Sequence, residues 1–181
     1  MALRATIYKI ELHIADMNRH HYATYPLTVA RHPSETDERM MVRLMAFALN
    51  AHEDLQFTKG ISDADEPDLW QKDLTGAIQC WLEVGQPDDK RLLKAAGKSD
   101  QVKVYCFAGP ASRIWWEGMR TTWARSNKFE VYSFAQSQTQ SLAKAVSRNM
   151  VVHVTIEDST LTVIAGDETF TIGVEPWTLN H

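Results

Sequence analysis

Three carboxylates stand out among the residues able to do chemistry: Glu38, Asp68 and Glu83. A stripe formed by Met41, Leu44, Met45, Ala48 and Leu49 sets Glu38 three and seven residues before Met41 and Met45, on a helical face that turns inward. Between Ala77 and Gly85, alternation groups Glu83 with Trp81 and Gln79, opposite Ile78, Cys80 and Leu82. Glu83 also stands beside Gly85, where a backbone can approach a ligand closely. Asp68 lies 15 residues earlier, a separation across which a hairpin folds back. Sequence alone fixes hairpin register poorly, so Asp65 and Glu66 stay open as alternatives to Asp68.

Carboxylates that converge repel one another unless a cation or a shared proton intervenes. Hard oxygen ligands select Mg²⁺, Mn²⁺ or Ca²⁺ over Zn²⁺, and such an ion can activate water and neutralise the charge developing on a phosphodiester. Arg91 and Lys94, three apart on one face of a following helix, are candidates to add transition-state stabilisation. Each residue also has a plainer reading. Glu35, Asp37 and Glu38 suit a capping box and the dipole of a first helical turn, a reading that fits Glu35 best. Glu83 can simply reach solvent at a strand end, and Arg91 with Lys94 can form a solvated basic face.

The elements that must position these groups follow from periodicity. Ala5 to Ile14 and His21 to Ala30 alternate as strands joined by the polar turn Asp16–Arg19, a hairpin. Pro33 ends the second strand, and Ser34 as N-cap opens a helix over about 35–51. Strands are expected at 55–59, 68–72 and 77–85, a helix from Pro87 to about Gly97, and a buried strand at 102–107. A helix over 111–124, a strand at 129–134 and a helix over 137–146 extend the same sheet. Residues 151–174 alternate again, with turns at Asp158-Ser159 and Gly166-Asp167, as a meander that joins the sheet or pairs with the N-terminal hairpin. The pattern is α/β, with a mixed central sheet flanked by helices.

No linker, repeat or low-complexity tract divides the 181 residues, so one domain over 1–181 is expected. No apolar run is long enough to span a bilayer and no export signal is visible, which excludes a membrane role and points to the cytoplasm. Cys80 and Cys106 sit in apolar strand-like stretches and read as free buried thiols. The net charge of −4 leaves no broad basic footprint for nucleic acid. The seven histidines have no metal-ligand spacing, and Trp115-Trp116 reads as core or partner surface. There is no Gly-rich phosphate loop, nucleophile elbow or Cys/His pair arranged for nucleophilic catalysis.

Three stretches carry a family resemblance: Ala30-Arg31-His32-Pro33-Ser34-Glu35-Thr36-Asp37-Glu38-Arg39-Met40-Met41, then Asp65-Glu66-Pro67, then Trp81-Leu82-Glu83-Val84-Gly85-Gln86-Pro87-Asp88. In these the chain resembles the YaeQ family over its full length. The resemblance implies a restriction-endonuclease-like PD-(D/E)XK fold, an αβββαβ core with an added N-terminal hairpin and C-terminal strands. It also implies metal-binding acids at Glu38, Asp68 and Glu83. The lysine that the motif places two residues after Glu83 is Gly85 here, so Lys94, with Arg91, would have to supply that charge from the next helix.

Two functions follow as expectations. One is a Mg²⁺- or Mn²⁺-dependent phosphodiesterase acting on nucleic acid. The other is a catalytically degenerate nuclease fold that binds nucleic acid or a protein partner.

Overall fold

The computed structural model describes residues 4–178, which group into two compact units: 4–49 with 135–174, and 50–134 with 175–178. The architecture is mixed α/β.

In the first unit, β1 (Thr6–Asp16) and β2 (His21–Arg31) form the expected hairpin, with His20 at φ 53° in its turn. β8 (Asn149–Glu157), β9 (Thr160–Ala165) and β10 (Glu168–Pro176) form the expected C-terminal meander. The two parts join because β8 runs parallel to β1, in the register His13↔His153. The strand order in this unit is β2-β1-β8-β9-β10. One face is apolar: Ile10, Leu12, Ile14, Val152, Val154 and Leu161 are 4% exposed or less. Each such side chain contributes about 1.5–3 kcal/mol on burial.

Helix α1 (Asp37–Asn50) belongs to this unit up to Leu49. Phe47 meets Tyr25 of β2 edge to face, with centroids 5.2 Å apart. The helix starts two residues later than periodicity suggests, and its cap is Thr36 rather than Ser34: Thr36 Oγ1 accepts from Arg39 N at 3.1 Å. Ser34 bonds His32 instead. Glu35, read as a helix-dipole acid, is buried, and its carboxylate takes Arg43 at 2.5 and 2.9 Å and Arg39 at 2.6 Å. The expected helix over 137–146 is α5 (Gln136–Leu142), closed by a 3₁₀ turn at Ala143–Ala145.

In the second unit the strand order is β7-β6-β5-β4-β3. β3 (Leu55–Phe57), β4 (Leu69–Lys72) and β5 (Ile78–Val84) are antiparallel neighbours. β6 (Ser99–Cys106) and β7 (Phe129–Phe134) follow β5 in parallel, so each needs a crossover. The crossovers are α2 (Asp89–Lys98), capped by Asp88 on Arg91 N, and α3 (Pro110–Gly118) with α4 (Arg120–Trp123). The single helix expected over 111–124 is broken at Met119, whose φ of −102° and ψ of 11° leave the helical range. Trp81, Val102, Val104, Phe129 and Val131 of the sheet pack with Leu92, Trp116 and Trp123 of the helices as one core. In chain order, α1, β3, β4, β5, α2 and β6 follow the expected succession.

Candidate functional site

The second unit brings Asp68, Glu83 and Arg91 together at the end of β5. The β4–β5 register pairs Leu69 with Leu82, and extending it by one step sets Asp68 opposite Glu83. Of the three acids left open in that loop, Asp68 is therefore the one beside Glu83. Both are buried, at 2% and 4% exposure. Asp68 Oδ2 accepts from Val84 N at 2.8 Å, which holds the carboxylate against the backbone of β5.

Glu83 shares a face with Trp81, as alternation requires, and Trp81 Nε1 donates to Glu83 Oε1 at 2.8 Å. Arg91 Nε donates to the same oxygen at 2.7 Å. The guanidinium spends its other nitrogens on backbone: Nη1 on Ala64 O and Nη2 on Glu66 O, each at 2.7 Å. One side chain of α2 thus holds the strand acid and laces the preceding loop over it. Burial and, secondarily, the Asp68 charge push Glu83 up to about 7, against the opposing pull of Arg91 and Trp81.

Lys94 is placed elsewhere. Its ammonium donates to Asp65 Oδ1 at 2.6 Å, in a pair whose side chains are 52% and 73% exposed. That bond and charge hold Asp65 below the usual carboxylate range. Glu66 accepts from Lys59 N through Oε2 at 3.0 Å. Glu38 belongs to the first unit, where its Oε2 accepts from the Thr139 hydroxyl at 2.9 Å.

Gly85, just past the end of β5, has φ +106°. No atom would crowd a Cβ there, so backbone conformation alone makes the position glycine's. Its N–H donates to Tyr105 O at 2.8 Å, turning the chain off β5 toward α2.

Among the described residues, no group of three His, Cys, Asp or Glu side chains is arranged to hold a metal ion. Cys80 and Cys106 are free thiols, as expected. Burial pushes Cys80 up to about 11 and raises Cys106 as well, so neither is poised as a thiolate. No helix among the described residues is long and apolar enough to cross a membrane.

Sequence reasoning missed Trp81 as the donor to Glu83, although placing both on one strand face was the available signal. It also missed the loop carbonyls on Arg91, for which the sequence offers no signal.

Comparison with known proteins gives a single answer. The family model described as YaeQ protein matches residues 1–174. The YaeQ protein of Salmonella typhi is 36% identical over 177 residues, and that of Escherichia coli (strain K12) 34%, each match covering 98% of both chains. Among solved structures, the YaeQ protein from Xanthomonas axonopodis pv. citri matches with a TM-score of 0.93 and 39% identity, covering 96% of this chain and 98% of that one. The YaeQ protein from Pseudomonas syringae matches with a TM-score of 0.91 and 33% identity, covering 96% of each.

Proposed function

The chain belongs to the YaeQ family, and from that footing we propose that it is a nuclease-like PD-(D/E)XK variant whose strand acids are neutralised from within by Arg91. It then acts as a binding module, not as a phosphodiesterase. The observation that carries this reading is the occupation of Glu83 Oε1 by both Arg91 Nε and Trp81 Nε1. A Mg²⁺ ion at this place would need oxygen ligands at about 2.0–2.1 Å in near-octahedral order. The donor set suits a guanidinium better: one Asp68 oxygen is committed to Val84 N, one Glu83 oxygen is doubly taken, and the motif's lysine position is a left-handed glycine. The net charge of −4 favours a protein partner over a polyanion.

The metal-dependent phosphodiesterase is the second reading. It draws support from Asp68 and Glu83 themselves, two neighbouring acids whose repulsion a divalent cation would relieve. One experiment separates the two. Mg²⁺ and Mn²⁺ are titrated into wild type and Glu83→Ala while cleavage of a mixed panel of DNA and RNA is followed. The binding-module reading expects no metal-dependent cleavage from either protein. Cleavage by wild type that disappears in Glu83→Ala would overturn it and establish the phosphodiesterase.

A further inference from the structure

The outer face of the first unit's sheet carries an unusual share of exposed apolar surface. Eight large hydrophobic residues are exposed among those described, and four of them stand on this face: Ile7 at 41%, Tyr22 at 59%, Val151 at 51% and Ile164 at 42%. The register sets Val151, Ile164 and Tyr22 in three successive rows, with Ile7 two rows from Val151 beyond the Lys9 row. Val151 pairs with Glu11, and His13 and His153 lie side by side in the next row, with Ile164 beside His153. The two imidazoles stack 4.4 Å apart at 9°. Between Lys9 and Val151 the face holds an open depression of about 530 Å³.

Charge narrows the choice of occupant. Lys9 and Glu11 are consecutive outward positions of β1, both exposed and of opposite sign, and Glu157 adds a second acid at the end of β8. With at least as much negative as positive charge, the face repels a polyanion. A two-fold axis running between Lys9 and Glu11 sets each against its opposite in the other copy, so the pattern complements itself. The area is sufficient as well. Five strands about 4.8 Å apart, with a length of nine residues at about 3.4 Å each, cover about 700 Å² per copy, or about 1,400 Å² in all. Specific interfaces bury about 1,200–2,000 Å².

We propose that this face is the interface of a homodimer, in which the outer β2-β1-β8-β9-β10 sheets of two copies stack across a two-fold axis and Lys9 of each meets Glu11 of the other. The inference stands apart from the Glu83 site and survives or fails independently of it.

Sedimentation equilibrium of the full chain, with circular dichroism as the fold control, tests it. Wild type is expected to dimerise and Val151→Glu to be monomeric with an unchanged spectrum. Lys9→Glu and Glu11→Lys, each alone, set like charges against each other twice across the axis and are expected to raise the dimer Kd at least about tenfold. The double variant Lys9→Glu/Glu11→Lys restores opposite pairing and is expected to recover most of that loss. Because Lys9 and Glu11 are exposed, these variants keep the test open even if Val151→Glu misfolds. A wild type that stays monomeric at about 100 μM overturns the proposal, as does a dimer that neither single reversal weakens or that the double variant fails to restore.

Discussion

Replacing Glu83 by Gln removes one charge while keeping the side chain's size and an oxygen for Trp81 and Arg91. In wild type, burial and the Asp68 charge raise Glu83 from 4.5 to about 7. The folded protein therefore holds this proton more tightly than the unfolded chain, and the stability from that preference is fully present below pH 4.5. It is lost as pH rises through about 7 and is constant above that. At 1.36 kcal/mol per pKa unit the loss is about 3 kcal/mol, a large part of the 5–15 kcal/mol that holds an ordinary domain together. Urea unfolding of both proteins, followed by tryptophan fluorescence from pH 4 to 9, isolates the term, because every other titrating group is common to the pair. Glu83→Gln is expected to gain about 3 kcal/mol on wild type between pH 4.5 and 7, with no further change above. A pH-independent difference would refute the raised pKa. A difference of the opposite sign would mean that the attraction of Arg91 outweighs burial.

Arg91→Ala removes the cation that opposes the upward push on Glu83, so that carboxyl takes up a proton more readily, and it releases two loop carbonyls; a loss of about 1–3 kcal/mol is expected at pH 8. Denaturant midpoints measure it, and faster proteolysis within 63–67 accompanies it. Gly85→Ala is expected to cost about 1–3 kcal/mol from its φ of +106° with no steric clash, again read from denaturant midpoints. Lys94→Ala breaks only an exposed pair, and its melting temperature should be indistinguishable from wild type.

Much of this site could be read from the sequence because its determinants are local. Alternation put Glu83 with Trp81, and a hairpin separation brought the acids at 65, 66 and 68 within reach of Glu83; the β4–β5 register then selects Asp68. The strand at 129–134 matches β7 end for end, since its mainly aromatic run is bounded by the polar Ser126–Lys128 before it and helix α5 after it. What escaped depends on partners that local pattern does not specify. Glu35 looks like a first-turn acid until Arg43, two helical turns further on, is seen to reach back to it. Glu38 finds Thr139, 101 residues away. Lys94 was expected to bring its charge to the acids beside Arg91, yet it pairs with exposed Asp65, because its partner depends on how the loop at 63–66 folds. That path is set by backbone carbonyls on Arg91, which carry no residue identity.

On the proposed nuclease-like reading, the glycine at position 85 and the role of Arg91 have one physical origin. A lysine two residues after Glu83 must continue the extended backbone of β5 so that its side chain points back over the acid. Here the strand ends at Val84, and Gly85 takes a left-handed conformation that brings the chain directly into the Asp88 cap of α2. That early turn sets the first turn of α2 beside the strand end, and a side chain in that turn reaches Glu83 from the helix. The planar guanidinium of arginine can satisfy one carboxylate oxygen and two carbonyls at once, whereas an ammonium is a compact point charge without that fixed fork. A cation whose three nitrogens each already donate to a partner at 2.7 Å has few N–H groups left to offer a developing charge. The same geometry that ends β5 at Val84 thus fixes Arg91 in place, which is why, on that reading, Gly85→Lys is expected to destabilise the fold without conferring metal-dependent cleavage.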